Sequence, residues 1–145
     1  MAVRAIRGAT QVEADERDLV LAATRELVRA VLDVNALRAE DVISILFTAT
    51  ADLSSQAPAL GARQVGLDGV ALLCAQEMRV EGAMPRVIRL MAHVDVDPGR
   101  EALQNVYLRG TEALRSDPAD DDPPRETAAG GPARDGAPSV GEVPG

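Results

Sequence analysis

The sequence contains few of the residues that bind metals or form disulfides. Its 145 residues include one cysteine, one histidine and no tryptophan. One cysteine excludes an internal disulfide and a zinc site built from several cysteines, and one histidine disfavours a metal cluster built from histidines. We therefore expect a metal-free protein.

Lysine is also absent, so all fifteen basic residues are arginine. Codon usage in a GC-rich genome is the simplest explanation for most of them, but arginine also binds a carboxylate with two hydrogen bonds from one planar group. The chain therefore has the groups to bind a small anionic molecule. Of its net charge of −8, −5 lies in residues 116–145 and −3 in residues 1–115. The negative charge of residues 1–115 argues against nucleic acid as a partner, because nucleic acid requires a dense basic face.

Long apolar runs are missing too. No segment approaches the roughly 20 apolar residues that a membrane helix needs. The first residues, "MAVRAIRG", lead directly into a polar, charged segment without the apolar stretch of a signal peptide. We expect a soluble, cytoplasmic protein with no membrane partner.

The composition changes sharply near residue 115. Residues 116–145 hold six of the nine prolines, five of the twelve glycines, and seven acids against two arginines. Such a segment buries too little apolar surface to offset the entropy lost on ordering. We expect one folded domain at 1–115 and a disordered, acidic, Pro/Gly-rich tail at 116–145.

Hydrophobic periodicity predicts five strands and three helices in this domain. The predicted strands are 3–12, 41–53, 69–78, 85–96 and 106–115. The first predicted helix runs from an N-cap at Asp15 to a stop at Asn35, and the others are 58–66 and 98–106. The apolar stripe of the first predicted helix consists of Val20, Ala23, Leu27, Val31 and Val34. This order predicts an α+β fold, with a mixed β-sheet and helices on one face.

Aromatic side chains are scarce. With one phenylalanine and one tyrosine, the core must be built from small aliphatic residues. Burial of apolar surface contributes roughly 25 cal/mol per Å², so a second sheet or subunit is expected against any exposed apolar face. We expect an oligomer.

Five polar residues stand in or beside the predicted strands: Arg7, Cys74, Glu77, Arg89 and Tyr107. Each has a structural explanation, because arginines occupy solvated sheet faces and a cysteine packs as a small apolar residue. The glutamate can begin a loop, and the tyrosine can pack at a sheet edge. Considered singly, the structural explanation is favoured.

Considered together, the motifs around these residues resemble one enzyme family. The motifs are "RAIRGAT" at 4–10, "TATADL" at 48–53, "CAQEM" at 74–78, "RVIRLMAHV" at 86–94 and "VYL" at 106–108. In order and spacing they are similar to the monofunctional bacterial chorismate mutase that forms a homotrimer of pseudo-α/β-barrel shape. The resemblance spans residue 3 to about residue 118, and the all-helical class of chorismate mutase does not fit a chain rich in strands.

The resemblance implies conversion of chorismate to prephenate by a Claisen rearrangement, a step in phenylalanine and tyrosine biosynthesis. It implies no cofactor and a homotrimer whose active sites lie between subunits. Arg89 matches the arginine that donates to the ether oxygen of the substrate, and Glu77 the carboxylate that accepts from its ring hydroxyl. Cys74 would place its thiol at the same end of the substrate. Arg7 and Tyr107 match residues that face the substrate carboxylates.

The resemblance also implies residues that bind substrate at the rim of the cleft. Arg63 resembles a basic residue from a neighbouring subunit, and Arg115 a mobile C-terminal arginine that closes over the site. The other substrate-binding positions are Ala59, Leu60, Leu73, Ala75, Gln76 and Leu114. Leu60 stands where the family often has a basic residue, and Leu73 where it has a small polar one.

Two alternatives remain open at this point. Trimeric imine deaminases of similar fold also bind small carboxylates between subunits, but they would use one arginine and an ordered water. A trimeric small-carboxylate-binding or regulatory protein could have kept the cleft and lost turnover.

Overall fold

Residues 1–116 are described by a computed structural model of the chain, and the predicted tail lies outside the described residues from residue 117 onward. The strands and helices are β1 Ala2–Gln11, α1 Arg17–Val34, β2 Val42–Ala49, α2 Ala59–Ala62, β3 Ala71–Gln76, β4 Val87–Val96 and β5 Val106–Tyr107. Short 3-10 turns occur at Ala39–Asp41 and Thr111–Ser116, and an irregular turn, Arg63–Leu67, follows α2.

The five strands form one sheet in the order β3-β2-β4-β1-β5. Strand β4 is antiparallel to both of its neighbours, β1 and β2. The outer strands β3 and β5 run parallel to β2 and β1, respectively. The predicted mixed sheet is therefore confirmed, and it ends in one six-residue strand and one two-residue strand.

Helix α1 packs its apolar stripe against one face of this sheet. Val20, Ala23, Leu27 and Val31 are buried as predicted, whereas Val34 is 49% exposed. At this end of the helix the buried residue is Asn35, which takes the inward position after the last turn. The sheet contributes its alternate residues to the same core: Ile6, Phe47, Ile88, Leu90, Ala92 and Val94. Neither helix among residues 1–116 is long and apolar enough to cross a membrane.

The predicted third helix at 98–106 was wrong. The guanidinium of Arg4 donates to the carbonyls of Arg100 at 3.1 Å and Glu101 at 3.2 Å. Further along, the side chain of Asn35 bonds to both backbone polar groups of Gln104. Because distant residues already satisfy these backbone groups, helical hydrogen bonds would add little, and residues 100–105 adopt no regular secondary structure.

The predicted last strand at 106–115 was wrong beyond Tyr107. Arg109 and Gly110 adopt positive φ angles of 52° and 81°, which turn the chain away from the sheet. The hydroxyl of Thr111 then donates to the carbonyls of Ala9 and Leu108. These two hydrogen bonds lie at the start of the 3-10 turn that carries Arg115.

Asp15 does not cap helix α1, whose N-cap is Glu16. Its carboxylate instead accepts from the backbone N–H groups of Ser54 and Ser55 and from the Ser54 hydroxyl, at 3.0–3.1 Å. Hydrogen bonds from Ser55, through its hydroxyl and backbone, and from Ser54 favour the charged carboxylate and lower the pKa of Asp15 below 3.8. The residue therefore ties the start of α1 to the loop before α2.

Asp15→Asn is expected to destabilise the protein at neutral pH, because a neutral amide oxygen accepts these bonds less strongly. The folded pKa lies below 3.8, so the stabilisation is complete above that value and is lost as the pH falls through the folded pKa. The urea midpoints of wild type and variant should therefore differ at about pH 7, and the difference should shrink as the pH falls below 3.8. A constant difference across this range would contradict the assignment.

Candidate active site

Alternation along the central strands puts two arginines on the sheet face that points away from α1, which we call the outer face. Ile6 and Leu90 are buried beneath the helix, so their chain neighbours Arg7 and Arg89 point the other way. The register of β1 and β4 places Ala9 directly opposite Arg89. Because alanine is small, it leaves room beside the guanidinium on this face.

Glu77 approaches Arg89 from the end of β3. Its backbone N–H donates to the carbonyl of Ala49 at 2.9 Å, so the chain follows β2 for one residue beyond the strand. Its Oε1 atom lies 2.9 Å from Nε of Arg89, and the two side chains are only 22% and 31% exposed. The two atoms are close enough to form an ion pair. The contact is not a hydrogen bond, because the Nε–H group of Arg89 is not aligned with Oε1. Partial shielding from water strengthens this attraction.

The second carboxylate oxygen of Glu77 has a different environment. Oε2 is buried and accepts no hydrogen bond from the residues that the structure describes. A buried acceptor without a donor costs free energy, because it has lost its water and gained nothing in return. This oxygen is therefore suited to accept a hydrogen bond from a ligand.

Tyr107 forms the opposite wall through the short strand β5. Parallel pairing with β1 places it beside Ala9, the residue that lies opposite Arg89. The guanidinium carbon of Arg115 lies 5.5 Å from the centre of the Tyr107 ring, within the range of a cation–π contact. The aromatic ring therefore brings a third arginine to this edge of the sheet.

These side chains line an open cavity of about 270 Å³. Its lining residues are Arg7, Gly8, Ala9, Leu46, Thr48, Glu77, Arg89, Leu90, Met91 and Tyr107. Four residues predicted as catalytic thus come together from four strands or strand ends. The arrangement combines two arginines, one carboxylate and one phenol on an apolar floor, which suits a small anionic ligand.

Sequence reasoning missed six lining residues: Gly8, Ala9, Leu46, Thr48, Leu90 and Met91. Alternation along each strand could have predicted the sheet face on which each of them lies. The position of Leu46 and Thr48 beside Arg89, however, depends on the register in which Thr48 of β2 meets Arg89 of β4. That register is a long-range property which no short motif encodes.

A larger cavity of about 360 Å³ adjoins the site and shares Glu77 with it. Its other walls come from residues 50–52 and from the segment 78–85. It lacks Arg7, Arg89 and Tyr107, so it does not offer the same set of groups for an anion. We therefore take the smaller cavity as the candidate active site.

The structure does not bring Cys74 to the Arg89 cavity, contrary to the expectation that thiol and carboxylate share one end of the substrate. Leu73, Ala75 and Glu77 occupy the outer face, whereas Cys74 packs toward the helices and contacts the core. Cys74, Ala75 and Gln76 instead line a cavity of about 240 Å³ with the loop before α2. Cys74 and Glu77 are three residues apart, and residues an odd number apart in an extended chain point to opposite faces of the sheet.

The predicted rim residues are also absent from the lining of the Arg89 cavity. Ala59 and Leu60 are half-buried in α2, and Arg63 is exposed just after it. Leu73 is 65% exposed on β3, and Leu114 is half-buried in the last 3-10 turn. Within one chain, therefore, the predicted rim residues lie away from the predicted catalytic residues that line the Arg89 cavity. Among residues 1–116, no three histidine, cysteine, aspartate or glutamate side chains converge where they could hold a metal ion.

Comparisons with known proteins agree on one enzyme family. The family described as chorismate mutase type I matches residues 3–118. The chain is 43% identical over 116 residues to chorismate mutase AroH of Thermus thermophilus, and the matched residues cover 79% of this chain and 95% of the relative. It is 37% identical over 118 residues to chorismate mutase AroH of Bacillus subtilis, covering 81% and 93%. A solved chorismate mutase from Clostridium thermocellum superposes with a TM-score of 0.74 and 40% identity over 77% of this chain and 99% of that chain.

Proposed function

The chain belongs to the chorismate mutase type I family and is a chorismate mutase, and from this premise we propose that the Arg89 cavity is where chorismate becomes prephenate. The observation that carries the proposal is the Arg89–Glu77 pair at 2.9 Å, set in an open cavity with Arg7 and Tyr107. The family and the three relatives named above are chorismate mutases, so an imine deaminase or a non-catalytic binding protein is not favoured.

The rearrangement takes place within one substrate molecule, as its ether C–O bond breaks and a new C–C bond forms. The protein therefore has to hold a compact conformer and stabilise charge as it develops. In the proposal Arg89 donates to the ether oxygen, which becomes more negative as the bond breaks. This interaction is strongest in the transition state, so it raises the rate and not merely the affinity.

Glu77 has two roles in the proposal, one for each oxygen. Oε1 holds the guanidinium of Arg89 in place at 2.9 Å. The buried Oε2, which lacks a donor among residues 1–116, accepts from the ring hydroxyl of chorismate. Arg7 and Tyr107 on the facing wall, with Arg115 against the tyrosine ring, bind the two carboxylates of the substrate.

A homotrimer is the second part of the proposal. Four large apolar side chains are exposed on the outer face: Val3 at 64%, Leu46 at 38%, Leu73 at 65% and Met91 at 38%. An apolar face of this kind marks an interface, and a neighbouring subunit would cover it. That subunit would bring Arg63 to the open side of the Arg89 cavity, together with its Cys74 and the predicted rim residues Ala59, Leu60, Leu73, Ala75 and Gln76.

The proposal retains two further expectations. Residues 1–115 form the catalytic domain, which is supported by a family match over 3–118. The enzyme acts in the cytoplasm, where chorismate and prephenate are its substrate and product.

Mixed trimers test whether each site is shared between subunits. Arg89→Ala and Arg63→Ala chains are co-expressed and purified together, and loss of chorismate absorbance is followed at low substrate concentration. Random assembly leaves about a quarter of the sites with both arginines intact. The mixture should therefore recover about a quarter of the wild-type rate, about fivefold more than the separately purified variants when combined. No gain on co-expression would contradict the shared site.

A further inference from the structure

Tyr107 depends on a very short strand for its position. Strand β5 contains only Val106 and Tyr107, and it pairs with β1 alone. One further backbone bond, from the Leu108 N–H to the Ala9 carbonyl at 2.9 Å, follows it. A two-residue strand at the end of a sheet is too short to fix its own register. Other contacts must hold it.

Asn105 supplies the first of these contacts. Its side-chain Oδ1 accepts from the backbone N–H of Arg7 at 2.9 Å. A side-chain oxygen thus takes the place of a strand carbonyl and extends the pairing by one residue before β5 begins. The bond joins the two adjacent strands that carry Arg7 and Tyr107, both of which line the cavity.

Asn35 supplies the second contact from the end of α1. Its side chain is 4% exposed. Its Nδ2 donates to the Gln104 carbonyl at 3.0 Å, and its Oδ1 accepts from the Gln104 N–H at 2.7 Å. The same amide nitrogen donates to the Val31 carbonyl at 2.9 Å. One buried amide therefore holds the backbone of Gln104 from both sides, as a neighbouring strand would.

Resting on the proposed function, we infer that Asn35 and Asn105 are positioning residues for the active site. Asn35 fixes Gln104 against the end of α1, and Asn105 then fixes the next residue against Arg7. Together they set the position at which β5 begins, and with it the distance between the Tyr107 ring and Arg89. Neither asparagine lines the Arg89 cavity, so they act through Tyr107 and Arg7.

The composition of the chain provides a direct reporter for this role. Tyr107 is the only tyrosine and the chain has no tryptophan. Intrinsic tyrosine fluorescence therefore reports on this one wall of the site. Quenching by acrylamide measures how well the ring is held and shielded, independently of turnover.

Asn105→Ala is the main test, because Asn105 is exposed and its loss should leave the core intact. The variant should lose about fivefold to tenfold in kcat/KM for chorismate, mainly through KM, as one hydrogen bond is removed. Acrylamide quenching of Tyr107 should rise in parallel, while the far-ultraviolet circular dichroism is unchanged.

Two variants serve as controls. Asn105→Asp keeps an oxygen acceptor at the same place and should restore kcat/KM to within about twofold of wild type. Gln104→Ala removes a neighbouring side-chain amide but leaves the backbone groups that Asn35 holds, so it should behave as wild type. Asn35→Ala should shift both readouts in the same direction as Asn105→Ala.

The two readouts separate failure of this inference from failure of the proposed function. Wild-type kinetics and quenching in Asn105→Ala would overturn the positioning role, and so would a lower melting temperature with both readouts unchanged. If quenching rises in Asn105→Ala while Arg89→Ala leaves turnover intact, the positioning role stands and the assignment of the cavity fails.

Discussion

Arg89→Ala is expected to lower kcat for chorismate by about two to three decades, which corresponds to about 3–4 kcal/mol of lost transition-state stabilisation. The size follows from the proposed role, since a donor that strengthens only as the ether oxygen becomes negative acts on the barrier itself. Arg89 is also the partner of Glu77 at 2.9 Å. Its removal would leave that partly buried carboxylate without its counter-charge and weaken the substrate contact of Glu77 as well.

Arg89→Lys is expected to recover little of this loss. Lysine keeps a positive charge, but a single ammonium cannot contact Glu77 through one nitrogen and direct others toward the substrate as a planar guanidinium does. The two variants together therefore separate the effect of charge from that of geometry.

Arg63→Ala is the matched control, because it removes the same side chain from an exposed position outside the cavity. Its expected effect is an increase of about tenfold in KM with little change in kcat, as for a group that binds substrate and transition state alike. Steady-state kinetics with chorismate, together with urea midpoints to check folding, decide the matter. The same kinetic pattern in both variants would show that the two arginines were assigned the wrong roles.

Local periodicity was enough to predict the strands that form the centre of the site. On β4 the apolar residues Ile88, Leu90, Ala92 and Val94 alternate with the residues beside them and are all buried, which leaves Arg89 on the other face. The same rule, applied to β3, would have separated Cys74 from Glu77, because residues three apart in an extended chain point in opposite directions. The resemblance to the family suggested that they act together, whereas within one chain the two side chains lie on opposite faces of the sheet and line different cavities.

The remaining errors come from contacts between residues far apart in the sequence. The segment 98–106 has an acceptable helical pattern, but Arg4 and Asn35 bind its backbone from 96 and 69 residues away. Asp15 has the chemistry of an N-cap, yet its carboxylate accepts from Ser54 and Ser55 instead. Local propensity competes poorly with such tertiary hydrogen bonds when the segment is short.

Leu73→Asp is expected to abolish the trimer. Leu73 is 65% exposed on the outer face of a single chain, so the substitution should cost the isolated subunit little. In the proposed trimer the leucine is buried, and each interface would lose about 1.5–3 kcal/mol of apolar burial. Three interfaces lose about 5–9 kcal/mol together, which weakens the trimerisation constant by about three to six decades. A carboxylate forced into the interface adds a further penalty.

Val34→Asp is the matched control for that experiment. Val34 is 49% exposed on α1, on the opposite side of the sheet from Leu73, so a charge there should leave the trimer intact. Sedimentation velocity over a range of protein concentrations measures assembly, and circular dichroism checks that both variants are folded. Dissociation of Leu73→Asp alone, with loss of chorismate turnover, would follow from sites built between subunits. If both variants remain trimeric, or both dissociate, the outer face is not the surface that joins the subunits, and Arg63 must reach substrate by another route.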